Sequence, residues 1–259
     1  GRGIQIVEVD TARVIGHVDP SAADAAVHSG AVYLHRGEAH LVRELDHGEG
    51  LALVTTGSPG WTTQPQSTRS VSILAERESR RFGAGTLHRG DVEVTSQVTG
   101  YLRRDEVSGT VWDHNDLDLP VRRLRTRATW WTLPDPEALG LSDLQLGAAA
   151  HGAEHCAIGL LGVFVDSDRW DVGGLSTVVH PDTGTLTVFV HDGHPGGAGF
   201  ADRGYRVADN WWAATLERLE QCPCEDGCPA CVISPKCGNA NQMLDKAAAT
   251  ILLRHLLPT

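Results

Sequence analysis

The stretch "CPCEDGCPACVISPKCGN", residues 222–239, holds five of the six cysteines in this 259-residue chain. Its reading decides the fold. Cys228-Pro-Ala-Cys231 has the C-x2-C spacing of a zinc knuckle, a turn that lets two thiolates face one ion. Cys237 follows just ahead of Gly238, and Cys222 and Cys224 complete the group. Four thiolates close a tetrahedral site, so one thiol is surplus. A C-x-C pair is tight for both members to bind beside three others, which favours Cys224, Cys228, Cys231 and Cys237, with Cys222 as the alternative to Cys224. Such a shell has no open position, so zinc here is structural, and an iron–sulfur cluster is the lesser option. The sixth thiol, Cys156, sits in an apolar helical pattern and reads as a small buried hydrophobe.

Working outward, the cysteine loop lies between two helical patterns. "DNWWAATLERLEQ" (209–221), which with residues 201–208 extends to 201–221, precedes it, and "NQMLDKAAATILLRHLL" (241–257) follows. Further back come a glycine loop at 192–204, a β-hairpin turning at Asp182-Thr183-Gly184 and a long helix from Ser142. Residues 1–133 read as mostly β. Short strands are expected at "IQIVEV", "RVIGHV", "LALVTT", "SVSIL", "DVEVTSQVTGYL" and "GTVWD", with a hairpin at 36–38. A short helix is expected after Asp19 as N-cap and Pro20 at its first position. The fold class is therefore α+β: a β-rich, barrel-like subdomain over 1–133, then a zinc-stabilised α/β subdomain over 134–259.

The chain carries a net charge of −11, is 41% hydrophobic and 21% charged, and so is ordinary globular material. An acidic chain repels nucleic acid on average, and DNA binding must come from a local patch. No run of about 18 apolar residues stands out, so no membrane span is expected. The N-terminus has no signal-peptide pattern. It does not begin with Met and is read as cut from a longer protein. Clustered thiols without a secretion signal speak for metal rather than disulfides.

The block "CPCEDGCPACVISPKCGNANQMLDKAA" resembles the C-terminal zinc-binding domain of the MrfA/SftH family of superfamily-two DNA helicases. So does the upstream block "AEHCAIGLL…DRWDVGGLST…HPDTG…VFVHDGHPGGAGF", and fainter likeness reaches "GAVYLHRGEAHLVREL". The resemblance implies an accessory region of an ATP-driven, 3′-to-5′ DNA helicase linked to DNA repair, in a bacterial cytoplasm and associated with the nucleoid. It implies DNA, in single-stranded form, and the motor domains of the same polypeptide as partners, and no membrane. The sequence has no G-x-x-x-x-G-K-[ST] phosphate loop and no DEAH-like box. ATP and Mg2+ therefore belong to the motor domains, and this chain alone is expected to be non-catalytic.

Three other patterns carry chemistry. Arg122, Arg123, Arg125 and Arg127 precede Trp130 and Trp131, a basic row beside aromatics that suits single-stranded DNA. Lys236 is a second phosphate candidate. His151, Glu154 and His155 match H-x-x-E-H, a metallohydrolase pattern that lacks a marked third ligand. One metal per chain held by sulfur alone would point to the accessory module, a second held by nitrogen to the hydrolase, and no DNA response at all to a protein-docking scaffold.

Overall fold

The structure, a computed structural model, describes residues 3–257. The chain is α+β, with a curled half-barrel sheet. It forms two compact units that interleave in sequence: 1–68 with 97–121, and 69–96 with 122–259.

The first unit is built on strands β1 (Ile4–Glu8), β2 (Arg13–Val18), β3 (Val32–His35), β4 (Glu38–Asp46) and β5 (Leu51–Thr56), with helix α1 (Pro20–Ala26). The sheet order is β2-β1-β5-β4-β3, with β1 and β5 parallel. The Asp19 carboxylate caps α1 by accepting from the Ser21 N–H. Arg36 and Gly37 both take positive φ, the geometry of a two-residue turn between twisted strands. Ile4, Ile6, Ala23, Val27, Val42, Ala52 and Val54 form its core.

Two long strands contribute to both units. They are β6 (Trp61–Phe82) and β7 (Gly85–Asp105), of 22 and 21 residues. The sequence reading expected shorter strands here. "ERESRR" (76–81) shows no apolar alternation, because cross-strand ion pairs take the place of apolar contacts: Arg77 with Asp91, His88 with Glu76 and Arg89 with Glu78. β8 (Val111–Asp116) pairs with the far end of β7 in the first unit.

In the second unit the sheet runs β10-β11-β9-β7-β6, with β9 (Arg122–Leu133), β10 (Val172–Thr177) and β11 (Leu186–Asp192). Its two ends approach each other. The Asp182 carboxylate, in the β10–β11 turn, accepts from the Ile73 N–H at 2.8 Å, and His180 Nε2 donates to the Val71 carbonyl at 2.9 Å. Between them lies a small core of Val71, Val92, Ala128, Trp130 and Phe189.

The other face of β9 and β11 carries the helices α2 (Asp143–Val165), α3 (Phe200–Arg206), α4 (Ala208–Gln221) and α5 (Lys246–Leu256). A capping box of Ser142 and Gln145 starts α2. By length and composition α2 is apolar enough to cross a membrane, a test that a buried core helix also passes. But 67% of its apolar window is buried inside the fold, and a helix apolar all round is a core helix. Val207 separates α3 from α4 where one helix was expected. The last helix starts at Lys246, because Ala240, Asn241 and Met243 take positive φ. The turn between β6 and β7 needs Gly83: its φ is +56°, and a Cβ there would lie 1.7 Å from the Leu256 carbonyl oxygen of α5.

Candidate metal centre

α4 ends at Gln221 and the chain leaves it extended at Cys222. The loop then turns back on itself. Gly227 holds φ +118°, and a Cβ there would meet Val232 at 2.4 Å. This fold-back brings Cys222, Cys224, Cys228 and Cys231 together, with all four Sγ atoms within 4.8 Å of one another. Cys222 to Cys224, Cys222 to Cys228 and Cys224 to Cys231 are each 3.5 Å, and Cys228 to Cys231 is 3.8 Å. Sulfurs 2.3 Å from a tetrahedral zinc stand roughly 3.8 Å apart, so the tetrad fits that ion. The separations are far beyond a disulfide bond. Both members of the C-x-C pair join, and Cys237 does not. It lies past the Val232–Lys236 turn, with its Sγ 3.6 Å from His151 Nε2.

Backbone and charge support the four sulfurs. The Cys228 N–H donates to Cys231 Sγ at 3.3 Å. Lys246, buried at the start of α5, donates to the carbonyls of Cys222 at 2.7 Å and Cys224 at 2.5 Å. Burial opposes ionisation of Cys224, but contacts from Cys231, Cys222, Cys228 and Lys246 outweigh it and bring the thiol down to about 7. Burial pushes Cys231 up to about 12. Four adjacent sulfurs cannot all ionise against their mutual repulsion, and a bound dication removes that conflict.

Lys246 is a residue the sequence reading missed. It appeared only as a late basic residue in a helical pattern. Lys246→Met is expected to cost about 1.5–3 kcal/mol, since it strips charged hydrogen bonds from two buried carbonyls. Denaturant unfolding checks this, and the variant should also release zinc to a chelator faster than the parent chain.

Cys156 is buried, with burial pushing its thiol up to about 12 and its Sγ facing the Thr215 carbonyl. It is packing, not chemistry.

The basic row is placed differently from its expected role. Trp130 and Trp131 point to opposite faces of β9 and both are fully buried, Trp130 in the small core and Trp131 against the helices. Neither indole is free to stack on a base. Arg123 and Arg125 are exposed, by 68% and 79%, and both bind Glu93. Arg127 binds Asp91, which also takes Arg77. These guanidiniums hold the Asp91 and Glu93 carboxyls below the usual range, with Arg77 acting first on Asp91 and Arg125 first on Glu93. Arg122 opposes Ser96 in the β7–β9 register. The acidic partners on β7 gave no signal in the sequence, because cross-strand register is not readable there.

The Lys236 ammonium is also engaged. It donates to the carbonyls of Arg169, Trp170 and Val172 at 3.1, 3.3 and 2.7 Å. Burial draws its pKa down to about 8. Glu154 is buried against β10, where its Oε1 would lie 2.5 Å from a Cβ on Gly174, and it interacts electrostatically with His151. Burial raises its pKa. The glycine loop wraps its own Asp192. The Asp192 carboxylate accepts from the N–H groups of Ala198, Gly199 and Ala201 at 2.6, 2.7 and 2.7 Å. Those donors serve the fold and are spent before any phosphate arrives.

Comparison with known proteins agrees with this centre. A family model, the MrfA Zn-binding domain, matches residues 153–232, a span that includes the tetrad and ends before Cys237. The chain is similar to the uncharacterized ATP-dependent helicase YprA of Bacillus subtilis, 26% identical over 87% of this chain and 30% of that protein. It is similar to the uncharacterized protein MJ1572.1 of Methanocaldococcus jannaschii, 37% identical over 41% of this chain and 98% of that protein. Its fold is that of the DUF1998 helicase MrfA in a crystal structure bound to DNA: TM-score 0.70, 25% identity, covering 98% of this chain and 34% of that one. The chain thus spans 30% of YprA and 34% of the crystallised MrfA chain. With the sulfur tetrad in place and the fold shared along nearly its whole length, the chain belongs to the MrfA helicase family, as a C-terminal region carrying that family's Zn-binding domain.

Proposed function

We propose that this chain is the zinc-tied accessory part of an ATP-dependent, 3′-to-5′ DNA helicase or translocase that serves DNA repair in a bacterial cytoplasm. Motor domains of the same polypeptide would bind ATP and Mg2+. Residues 134–259 would form the zinc-binding domain and residues 1–133 the β-rich accessory part. Cys222, Cys224, Cys228 and Cys231 would hold one zinc, which ties α4 to α5 through the loop and performs no chemistry, since four thiolates fill its shell. The observation that carries the reading is the tetrad spacing of 3.5–3.8 Å.

DNA engagement is the second half of the proposal. Arg123 and Arg125 are its best phosphate contacts. Both guanidiniums are exposed, and a phosphate could take the place of Glu93, with bidentate geometry suiting either acceptor. Arg122 and Arg127 would flank them, and Lys236 would act by supporting the 169–172 turn.

The test is fluorescence anisotropy of a labelled single-stranded oligonucleotide titrated with the purified chain at low salt. Binding should weaken steeply as salt rises. The R123A/R125A double variant should bind more weakly and lower the salt slope by roughly 1 to 2. A flat titration, or a double variant that binds as the parent does, would overturn DNA engagement and favour a protein-docking role. Duplex DNA of the same sequence, run alongside, reads the strand preference.

A further inference from the structure

A second set of ligand atoms converges outside the sulfur tetrad. His151 and His155 lie one turn apart on α2, with ring centroids 4.3 Å apart. Cys237 approaches from the loop before α5. One ligand atom from each of these three residues lies within 4.8 Å of the other two.

The two rings are fixed in a particular tautomer. His151 Nδ1 is 3.1 Å from the Met243 carbonyl, and His155 Nδ1 is 2.7 Å from the Val232 carbonyl. A carbonyl can only accept, so each Nδ1 carries the proton and each neutral ring keeps a bare lone pair on Nε2. Metal-binding histidines are commonly held in this way, by a backbone carbonyl on the other nitrogen. Here two adjacent rings share the arrangement, and the third atom is a sulfur.

We infer that His151, His155 and Cys237 form a second zinc site, separate from the four-thiolate centre, with two imidazole nitrogens and one thiolate as protein ligands. Zinc is the ion that suits a mixed nitrogen and sulfur set of this size. Three protein ligands leave a fourth position for water, and the Cys237 thiol, which donates to Asn239 Oδ1 at 2.7 Å, would give up that proton on binding the ion. We read its role as structural: Glu154, the base that a hydrolase centre would use, is buried against Gly174 and Ser176, with His151 within electrostatic reach. The second ion instead pins the loop over 232–243 to α2. The two sites meet at one peptide: His155 is bonded to the carbonyl of Val232, next to Cys231.

Metal counting and sulfur–nitrogen spectroscopy test this on the whole 259-residue chain, purified with zinc and freed of loose ions by gel filtration. Two zinc per chain are expected, and x-ray absorption should show nitrogen as well as sulfur in the average shell. His151→Ala and Cys237→Ser should each drop the count to one and leave a sulfur-only shell. A parent chain with one zinc in a sulfur-only shell overturns the inference, and needs no variant. So does a His151→Ala chain that still holds two. The control for the tetrad is Cys228→Ser. Loss of the sulfur-only ion in that variant, whether or not the neighbouring nitrogen-bound ion is lost with the unfolding loop, would leave the tetrad standing, whereas no change would sink the tetrad alone.

Discussion

Cys231→Ser is expected to unfold the cysteine loop and loosen the helices on either side of it. Zinc held by a structural site contributes on the order of 10 kcal/mol of folding free energy. A whole domain is stable by only about 5–15 kcal/mol, so the loss of one ligand consumes most of the margin. Cys231 is the most telling choice. It is buried, it accepts the Cys228 N–H, and it contacts two of the other three sulfurs. The readouts are zinc content and thermal melting by circular dichroism. Chelation of the parent chain should reproduce the variant's melt. A metal-free parent that melts cooperatively at an unchanged temperature would defeat the structural role.

The second large effect is expected at Trp131. Its indole is fully buried and meets Trp212 edge-to-face at 5.6 Å, and Trp212 in turn meets Trp211 at 5.1 Å. Trp131→Ala should cost about 3–5 kcal/mol, from lost burial plus the cavity left behind. A coupling of about 0.5–1.5 kcal/mol should appear in the double-mutant cycle with Trp212→Ala. Among the described residues the Trp131 Nε1 has no hydrogen-bond partner, so its worth is packing. Trp131→Phe should therefore recover most of the loss. Denaturant titrations of the four variants and the parent measure these quantities. A cost below about 1 kcal/mol would show that the helices do not depend on this ring.

Local chemistry was the legible part of this sequence. The Asp19 cap, the Arg36-Gly37 turn and the Ser142 capping box each act within a few residues, and each is visible as written. Long strands of alternating charge were not. Residues 76–81 look like a solvated segment until His88, Arg89 and Asp91 of β7 are placed across from them. The tryptophans of β9 invited a DNA reading because a strand's two faces look equal in sequence. Here both faces are covered, one by helices and one by the curled end of the sheet. The thiols were readable as a group, whereas their partition was not. Spacing alone favours Cys237 and keeps Cys222 only as the alternative to Cys224. The positive φ at Gly227 and the path through Val232 to Lys236 separate Cys237 from both in space. Lys246 and the carbonyl partners of His151 and His155 depend on tertiary placement and had no local signal.

The position of α5 has a consequence for how the chain is made. Leu252, Leu253 and Leu256 fill the core beside α2, and the Leu256 carbonyl accepts the Ala84 N–H at the β6–β7 turn. Nascent polypeptide leaves the ribosome from its N-terminal end, so the sheet and α2 emerge long before the segment that covers them. Until residue 256 has cleared the exit tunnel, the apolar faces of α2 and α4 that pack on α5 lie open to solvent and to other chains. Translational stalling within the last helix, or loss of its final turn through premature termination, would yield a sticky intermediate that chaperones must hold.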